Sequence, residues 1–434
     1  MSSAETSPPS NPIPDPGATG QVGADPAAFP LERIDPSDPG LFETDTHHEW
    51  FARLRGEDPV HYTAESFFGP YWSITTFDDI VEVEKNHEIF TSGNGSIVIG
   101  DPDPEFAISP GFIAMDGERH KAHRATVQPA VAPRNLRQLE PEIRRRAVEI
   151  LDSLPVGEEF DWVDRVSIEL TTTMLATLFD FPYEERRRLT YWSDMATSDE
   201  AQVGASGVTG EDRHAALMEC LEVFQGLWKD RTAKPGGQSE AVDFVTLMAN
   251  GEKMRDIDPM TYIGTLILLI VGGNDTTRNS ISGGVVALNE NPAEYDKLRA
   301  DPGLIKNMVS EMIRWQTPLS HMRRNAVADY ELNGKTIRKG DKVVMWYASA
   351  NRDETAIERA NEFLIDRNNP KNHLSFGWGV HFCVGSRMAE MQVEVLWEEI
   401  MKRFSFVEVV GEPKRVYSNF VRGFERLPVK LHAK

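Results

Sequence analysis

The chain has 434 residues, 40% of them hydrophobic and 26% charged, the proportions of a folded globular protein. Its 68 acidic side chains against 46 basic ones give a formal charge of -22, which repels a phosphate backbone and argues against nucleic acid as a partner. Two cysteines, Cys220 and Cys383, cannot supply a disulfide framework for a chain of this size, so a reducing, cytoplasmic setting is expected.

Residues 1–29 are rich in Pro, Ser, Ala and Gly and almost free of large apolar side chains. Such a segment buries too little surface to offset its ordering entropy, which predicts a flexible arm. No second linker and no internal repeat follow, so residues 30–434 are expected to form a single domain. PVHYTAE and PYWSITTF, between Pro59 and Phe77, read as a hairpin. Asn333-Gly334 marks a second turn, ahead of the apolar strand KVVMWY. Helical periodicity dominates elsewhere: LRQLEPEIRRRAVEILDSL, IELTTTMLATLF, HAALMECLEVFQGLWKD, the long run from Met260 to Pro292, LIKNMVSEMIRWQ and RMAEMQVEVLWEEIMKRF. The fold class is therefore mainly α with a small β subdomain. The longest apolar run, YIGTLILLIVGG, falls short of the roughly 20 residues that cross a bilayer, so no stable membrane insertion is expected.

Chemistry concentrates in SFGWGVHFCVGSR, Ser375 to Arg387, where Phe376, Gly379, Cys383 and Gly385 precede an amphipathic helix beginning near Val384. A helix N-terminus aims unpaired N–H groups at the sulfur of Cys383, which favours thiolate. Gly379 and Gly385 permit sharp turns and close approach of a flat ligand, while Phe376 and Trp378 are placed to shield the sulfur from water. Cys220, by contrast, shares an apolar helical face with Leu217, Leu221 and Phe224 and reads as ordinary core.

Inside the long apolar run stands VGGNDTTRN. Gly272 and Gly273 each cost a helix about 1 kcal/mol relative to Ala, so a close approach by a cofactor or dioxygen is expected to compensate. Asp275 and Thr276 set an acid beside an alcohol, where an unpartnered carboxylate is expensive. An acid and an alcohol side by side are both groups that can exchange protons. Glu311 and Arg314 lie three apart on one helical face.

These features together resemble the cytochrome P450 superfamily. The cysteine loop matches its F-x-x-G-x-x-x-C-x-G signature without a gap, GGNDTT resembles its oxygen-activating helix, and Glu311-x-x-Arg314 its E-x-x-R pair. The resemblance covers nearly everything from about residue 40 onward. It implies the P450 fold, haem b with Cys383 as the iron ligand, and Asp275 and Thr276 as catalytic residues in monooxygenation. It implies a structural lock in which Arg367 joins Glu311 and Arg314. Haem propionates are expected to meet His120, Arg124, His381 and Arg324, with Arg323 as the neighbouring alternative to the last.

No reductase or iron–sulfur segment accompanies the domain, so electrons from NAD(P)H are expected through a separate ferredoxin reductase and ferredoxin. An acidic ferredoxin calls for a basic docking patch, with Arg387, Arg124 and Arg134 as its candidates. Several segments, among them FDFPYEERRRLTYWSDMATS and SNFVRGFERLPV, are similar to the bacterial group that hydroxylates alkanes and fatty acids at the chain terminus. Phe382 departs from that group, where an arginine is expected. The expected partner is thus a small hydrophobic substrate, held end-on by Ile97, Val98, Leu268, Leu319, Met322 and Phe420. A steroid or terpenoid hydroxylase and a peroxide-driven haem-thiolate hydroxylase are the competing readings. Nothing in the sequence requires more than a monomer.

Overall fold

The computed structural model describes residues 17–93, 96–101, 111–198, 208–232 and 242–434. Eight of its helices frame the site: α1 (Phe77–Lys85), α2 (Gly117–Val127), α3 (Pro133–Asp152), α4 (Glu169–Phe179), α5 (Arg187–Thr197), α6 (Pro259–Glu290), α7 (Ile305–Gln316) and α8 (Ser386–Arg403). The axial member is α6, whose 32 residues extend about 48 Å. Asp258 caps it by accepting from the Thr261 amide, Pro259 occupies its first turn, and Asn291-Pro292 ends it. Its apolar faces are buried against α4, α5, α7 and α8, which is why it is hydrophobic nearly all round.

A five-stranded sheet stands beside the helices, built from β1 (Val60–Thr63), β2 (Tyr71–Ile74), β3 (Phe90–Thr91), β4 (His321–Ala326) and β5 (Lys342–Trp346) in the spatial order β1-β2-β5-β4-β3. The expected hairpin is the antiparallel β1–β2 pair, with Val60 opposite Ile74. Asn333 and Gly334 take positive φ, 48° and 73°, in the tight turn between Tyr330–Leu332 and Lys335–Ile337.

The expected arm over residues 1–29 is not free where it is described. Residues 1–16 lie outside the described residues, but from Gly17 onward the chain packs on the body. Gln21 is fully buried and accepts from the Asp35 amide at 2.6 Å. Arg53 donates to the carbonyls of Pro26 and Phe29, and Phe29 meets Trp50 edge-to-face at 5.1 Å. Backbone carbonyls, which composition does not count, hold this stretch in place.

Candidate active site

α6, α8, the loop before α8 and β4 enclose one cavity of about 1940 Å³. That exceeds the usual volume of a small-ligand pocket and leaves room for a large planar group together with a substrate. Cys383, Phe376 and Gly385 line it from the cysteine loop, Gly272, Gly273 and Thr276 from α6, and His120, Arg124, Arg324 and His381 from one edge. Ile97, Val98, Leu268, Leu319, Met322 and Phe420, which come from four separate stretches of chain, all reach the same cavity.

The cysteine loop is fixed by its own backbone, the Cys383 amide donating to the Phe376 carbonyl at 2.8 Å. The amides of Gly385 and Ser386 point at the sulfur and, with Arg124, pull its pKa down. Burial is the larger effect and leaves the thiol above its ordinary value, so helix geometry alone does not produce the expected thiolate. A bound metal ion would add a further pull toward thiolate. Two other expectations change. Gly379 does not line the cavity; it turns the chain at φ 64°, where an added Cβ would stand 3.3 Å from the Glu84 carbonyl. Trp378 points outward, 42% exposed, so Phe376 shields the sulfur without it.

The two helix glycines have separate duties. A Cβ on Gly272 would meet nothing within 4 Å, so this position is an open face on the cavity. A Cβ on Gly273 would stand 2.7 Å from Leu175 Cδ2, so its bareness also lets α4 pack closely. Thr276 Oγ1 donates to the Gly272 carbonyl at 2.6 Å, leaving its lone pairs free to accept. Asp275 faces away from the cavity and is fully buried. Its carboxylate meets Arg278 at 2.9 Å, Asn274 at 3.1 Å and Ser193 at 3.2 Å. Burial pushes this carboxyl up to about 6 against the opposing pull of Arg278. Arg278 also pairs at 2.7 Å with Asp194, which is half exposed on α5. The result is an ionic chain from solvent to the residue beside Thr276.

At the cavity edge, the rings of His120 and His381 lie 4.3 Å apart, tilted by 47°, and His381 Nε2 meets Ser92 Oγ at 3.1 Å. Burial and neighbouring arginines lower both imidazole pKa values, so the rings are neutral. His120 Nε2 and His381 Nδ1 are buried with no hydrogen-bond partner among the described residues. A ligand carrying acceptor groups fits this edge, since buried polar atoms are rarely left unpaired. Arg324 faces the cavity and is clamped by Glu84 at 3.0 and 3.1 Å, with Tyr347 Oη donating to the same carboxylate at 2.8 Å. Arg323 instead reaches Asp101 at 2.8 Å and does not line the cavity. Of the two, Arg324 is the one that lines the cavity.

Behind the cysteine loop lies a buried ionic knot. Arg314 spans Glu311 through two bonds of 2.8 and 2.7 Å and donates to the carbonyls of Asn351, Ala360 and Glu362. Arg367 Nε joins Glu311 at 3.0 Å. Asn351 carries the connection onward, accepting from the Leu374 amide at 2.7 Å and donating to Ser375 Oγ at 2.9 Å, where the cysteine loop begins.

Glu84, Arg278, Asp194 and Asn274 escaped sequence reasoning. Arg278 had a legible signal, standing three residues after Asp275 on one helix. Glu84 had none, because 240 residues separate it from Arg324. At the proposed docking face Arg387 and Arg134 are exposed, whereas Arg124 is half-buried and donates to the Phe382 carbonyl. Trp378, Val380 and Phe382 stand exposed on the loop between them and make it partly apolar.

Among the described residues no helix is long and apolar enough to cross a membrane. The cytochrome P450 family model matches residues 67–431. Linalool 8-monooxygenase of Pseudomonas putida is 37% identical over 92% of this chain and 99% of that protein. The methyl-branched lipid omega-hydroxylase of Mycobacterium bovis is 30% identical over 95% and 98%. The solved structure of CYP153D17 from Sphingomonas sp. PAMC 26605 is 45% identical, covers 93% of this chain and 100% of its own, and superposes with a TM-score of 0.86. By sequence, by fold and by the chemistry of its cavity, the chain belongs to the cytochrome P450 family of monooxygenases.

Proposed function

We propose that this monooxygenase hydroxylates the terminal carbon of a medium-chain alkane or fatty acid. The observation that carries the reading is the convergence of six apolar side chains, Ile97, Val98, Leu268, Leu319, Met322 and Phe420, on the cavity that Cys383 and Thr276 share. A primary C–H bond is stronger than its neighbour, so selectivity has to come from walls that hold the chain end-on. The relative named as a lipid omega-hydroxylase supports the same outcome.

Cys383 would hold the iron of haem b, while His120, Arg124, Arg324 and His381 would offer donors to its carboxylates. Bound haem supplies the dioxygen activation and C–H oxidation that no side chain performs. Thr276 Oγ1 orients water or an oxygen atom beside the bare face of Gly272. Asp275 is the proton carrier: Arg278, always charged and itself paired with the half-exposed Asp194, holds its carboxyl, and a turn of that carboxyl toward the cavity hands the proton to water at the Thr276 hydroxyl. Electrons come from NAD(P)H through a ferredoxin and its reductase in the cytoplasm.

The relative named for linalool favours a second reading, a terpenoid alcohol as substrate. The test is reconstitution of the haem-loaded protein with a ferredoxin, its reductase and NAD(P)H, followed by product analysis on octane, dodecanoic acid and linalool. Primary alcohols from the linear chains as main products support the proposal. Turnover of linalool alone, or oxidation mainly at inner carbons, overturns it.

A further inference from the structure

His321 is the first residue of β4, fully buried, and absent from the cavity lining. Its two ring nitrogens nevertheless reach two separate walls of that cavity. Nδ1 meets the Asn419 carbonyl at 3.1 Å, and Nε2 meets the Ile99 amide at 3.2 Å. A carbonyl only accepts and an amide N–H only donates, so these partners require a neutral ring protonated on Nδ1. Burial pulls its pKa down to about 3, in agreement. The ring is also held between Trp346 and Phe420, at 4.8 and 5.3 Å.

The tied segments are those that carry substrate-facing side chains. Ile97 and Val98 directly precede Ile99, and Phe420 follows Asn419 directly. Leu319 and Met322 flank His321 itself. Neighbouring bonds run the same way: Ser320 Oγ donates to the Asn419 carbonyl at 2.7 Å, and the Arg323 amide donates to the Ile97 carbonyl at 2.7 Å. Both loops are therefore tied to β4 and the residue before it, and the His321 side chain bonds to each.

We infer that His321 is a positioning residue for regioselectivity, a buried bidentate pin that fixes the spacing of the 96–101 and 417–420 loops and so decides which carbon of a linear chain the cavity presents. It never touches substrate. The inference rests on the reading that the cavity takes a linear chain, but its readout is a change in product distribution, whichever carbon the unaltered enzyme prefers. A failure of terminal selectivity in the parent enzyme would sink that reading alone.

The experiment compares the parent enzyme with His321→Phe, which keeps the ring packing and removes both bonds, and His321→Gln, whose amide offers one donor and one acceptor. Each is haem-loaded and assayed on dodecanoic acid for the ratio of terminal to adjacent alcohol. His321→Phe is expected to lower that ratio on the order of fivefold, the effect of losing a buried hydrogen bond or two, with the carbon-monoxide spectrum of the reduced protein unchanged. His321→Gln is expected to restore it at least in part. A merely structural residue would lower yield or stability and leave the ratio alone, and an unchanged ratio in His321→Phe overturns the inference. Should that variant fail to load haem, His321→Leu, which also removes both bonds, takes its place; an unchanged ratio there overturns the inference equally.

Discussion

Two buried polar clusters flank the cavity, and they differ in one respect. The Glu311–Arg314–Arg367 knot is saturated: three main-chain carbonyls accept from Arg314, and Glu311 takes the Leu364 amide at 2.8 Å as well as both arginines. The His120–His381 edge is unfinished, with a nitrogen on each ring buried and unpartnered. A complete network supports the fold by itself, whereas an incomplete one marks where a ligand supplies the missing partners. The same contrast separates what the polypeptide builds alone from what the cofactor completes.

The largest expected effect falls on the saturated side. Arg314→Ala leaves the fully buried Glu311 carboxylate without its main counter-charge and is expected to cost about 3–5 kcal/mol. Recovery of haem-loaded protein should collapse, and urea unfolding of whatever remains should show the loss. A variant as stable as the parent would break the comparison. Next comes the proton route. Asp275→Asn keeps the shape but cannot carry a proton, and product formation should slow about 100-fold while the substrate-induced spin shift is unaltered. The unfinished edge gives a milder result: His120→Ala and His381→Ala should each release haem to an acceptor protein about tenfold faster, with little change in unfolding of the haem-free chain.

The smallest effect is one of pH. The folded-state pKa of Asp275 is raised from 3.8 to about 6, so between these values the folded protein holds the proton more firmly than the unfolded chain does. This residue's contribution to stability is therefore full below about pH 4 and is lost as pH rises through about 6. Asp275→Asn lacks that slope, so the stability difference between the two proteins should shift in favour of the asparagine variant across this window.

Legibility in the sequence follows the range of the interactions. The helices, the β1–β2 hairpin and the Asn333-Gly334 turn were readable because periodicity and turn chemistry are local. The glycine–acid–alcohol run and the cysteine loop were readable because their chemistry is packed into about ten residues each. Glu84 was not, since its bond to Arg324 joins helix α1 to strand β4 across most of the chain. Nor could composition show that residues 17–29 pack on the body, because main-chain carbonyls and a single glutamine hold them down. Gly379 and Trp378 were misplaced for a different reason: in a loop, which way a side chain points depends on φ and ψ, and spacing does not reveal them.

The most direct measurement is the carbon-monoxide difference spectrum of the reduced, haem-loaded protein beside its Cys383→His variant. The parent should give the strongly red-shifted Soret band of thiolate-ligated haem, and the variant the shorter-wavelength band of a histidine-ligated one. A red-shifted band that survives the substitution, or a parent spectrum without it, would contradict the assignment of Cys383 as the iron ligand.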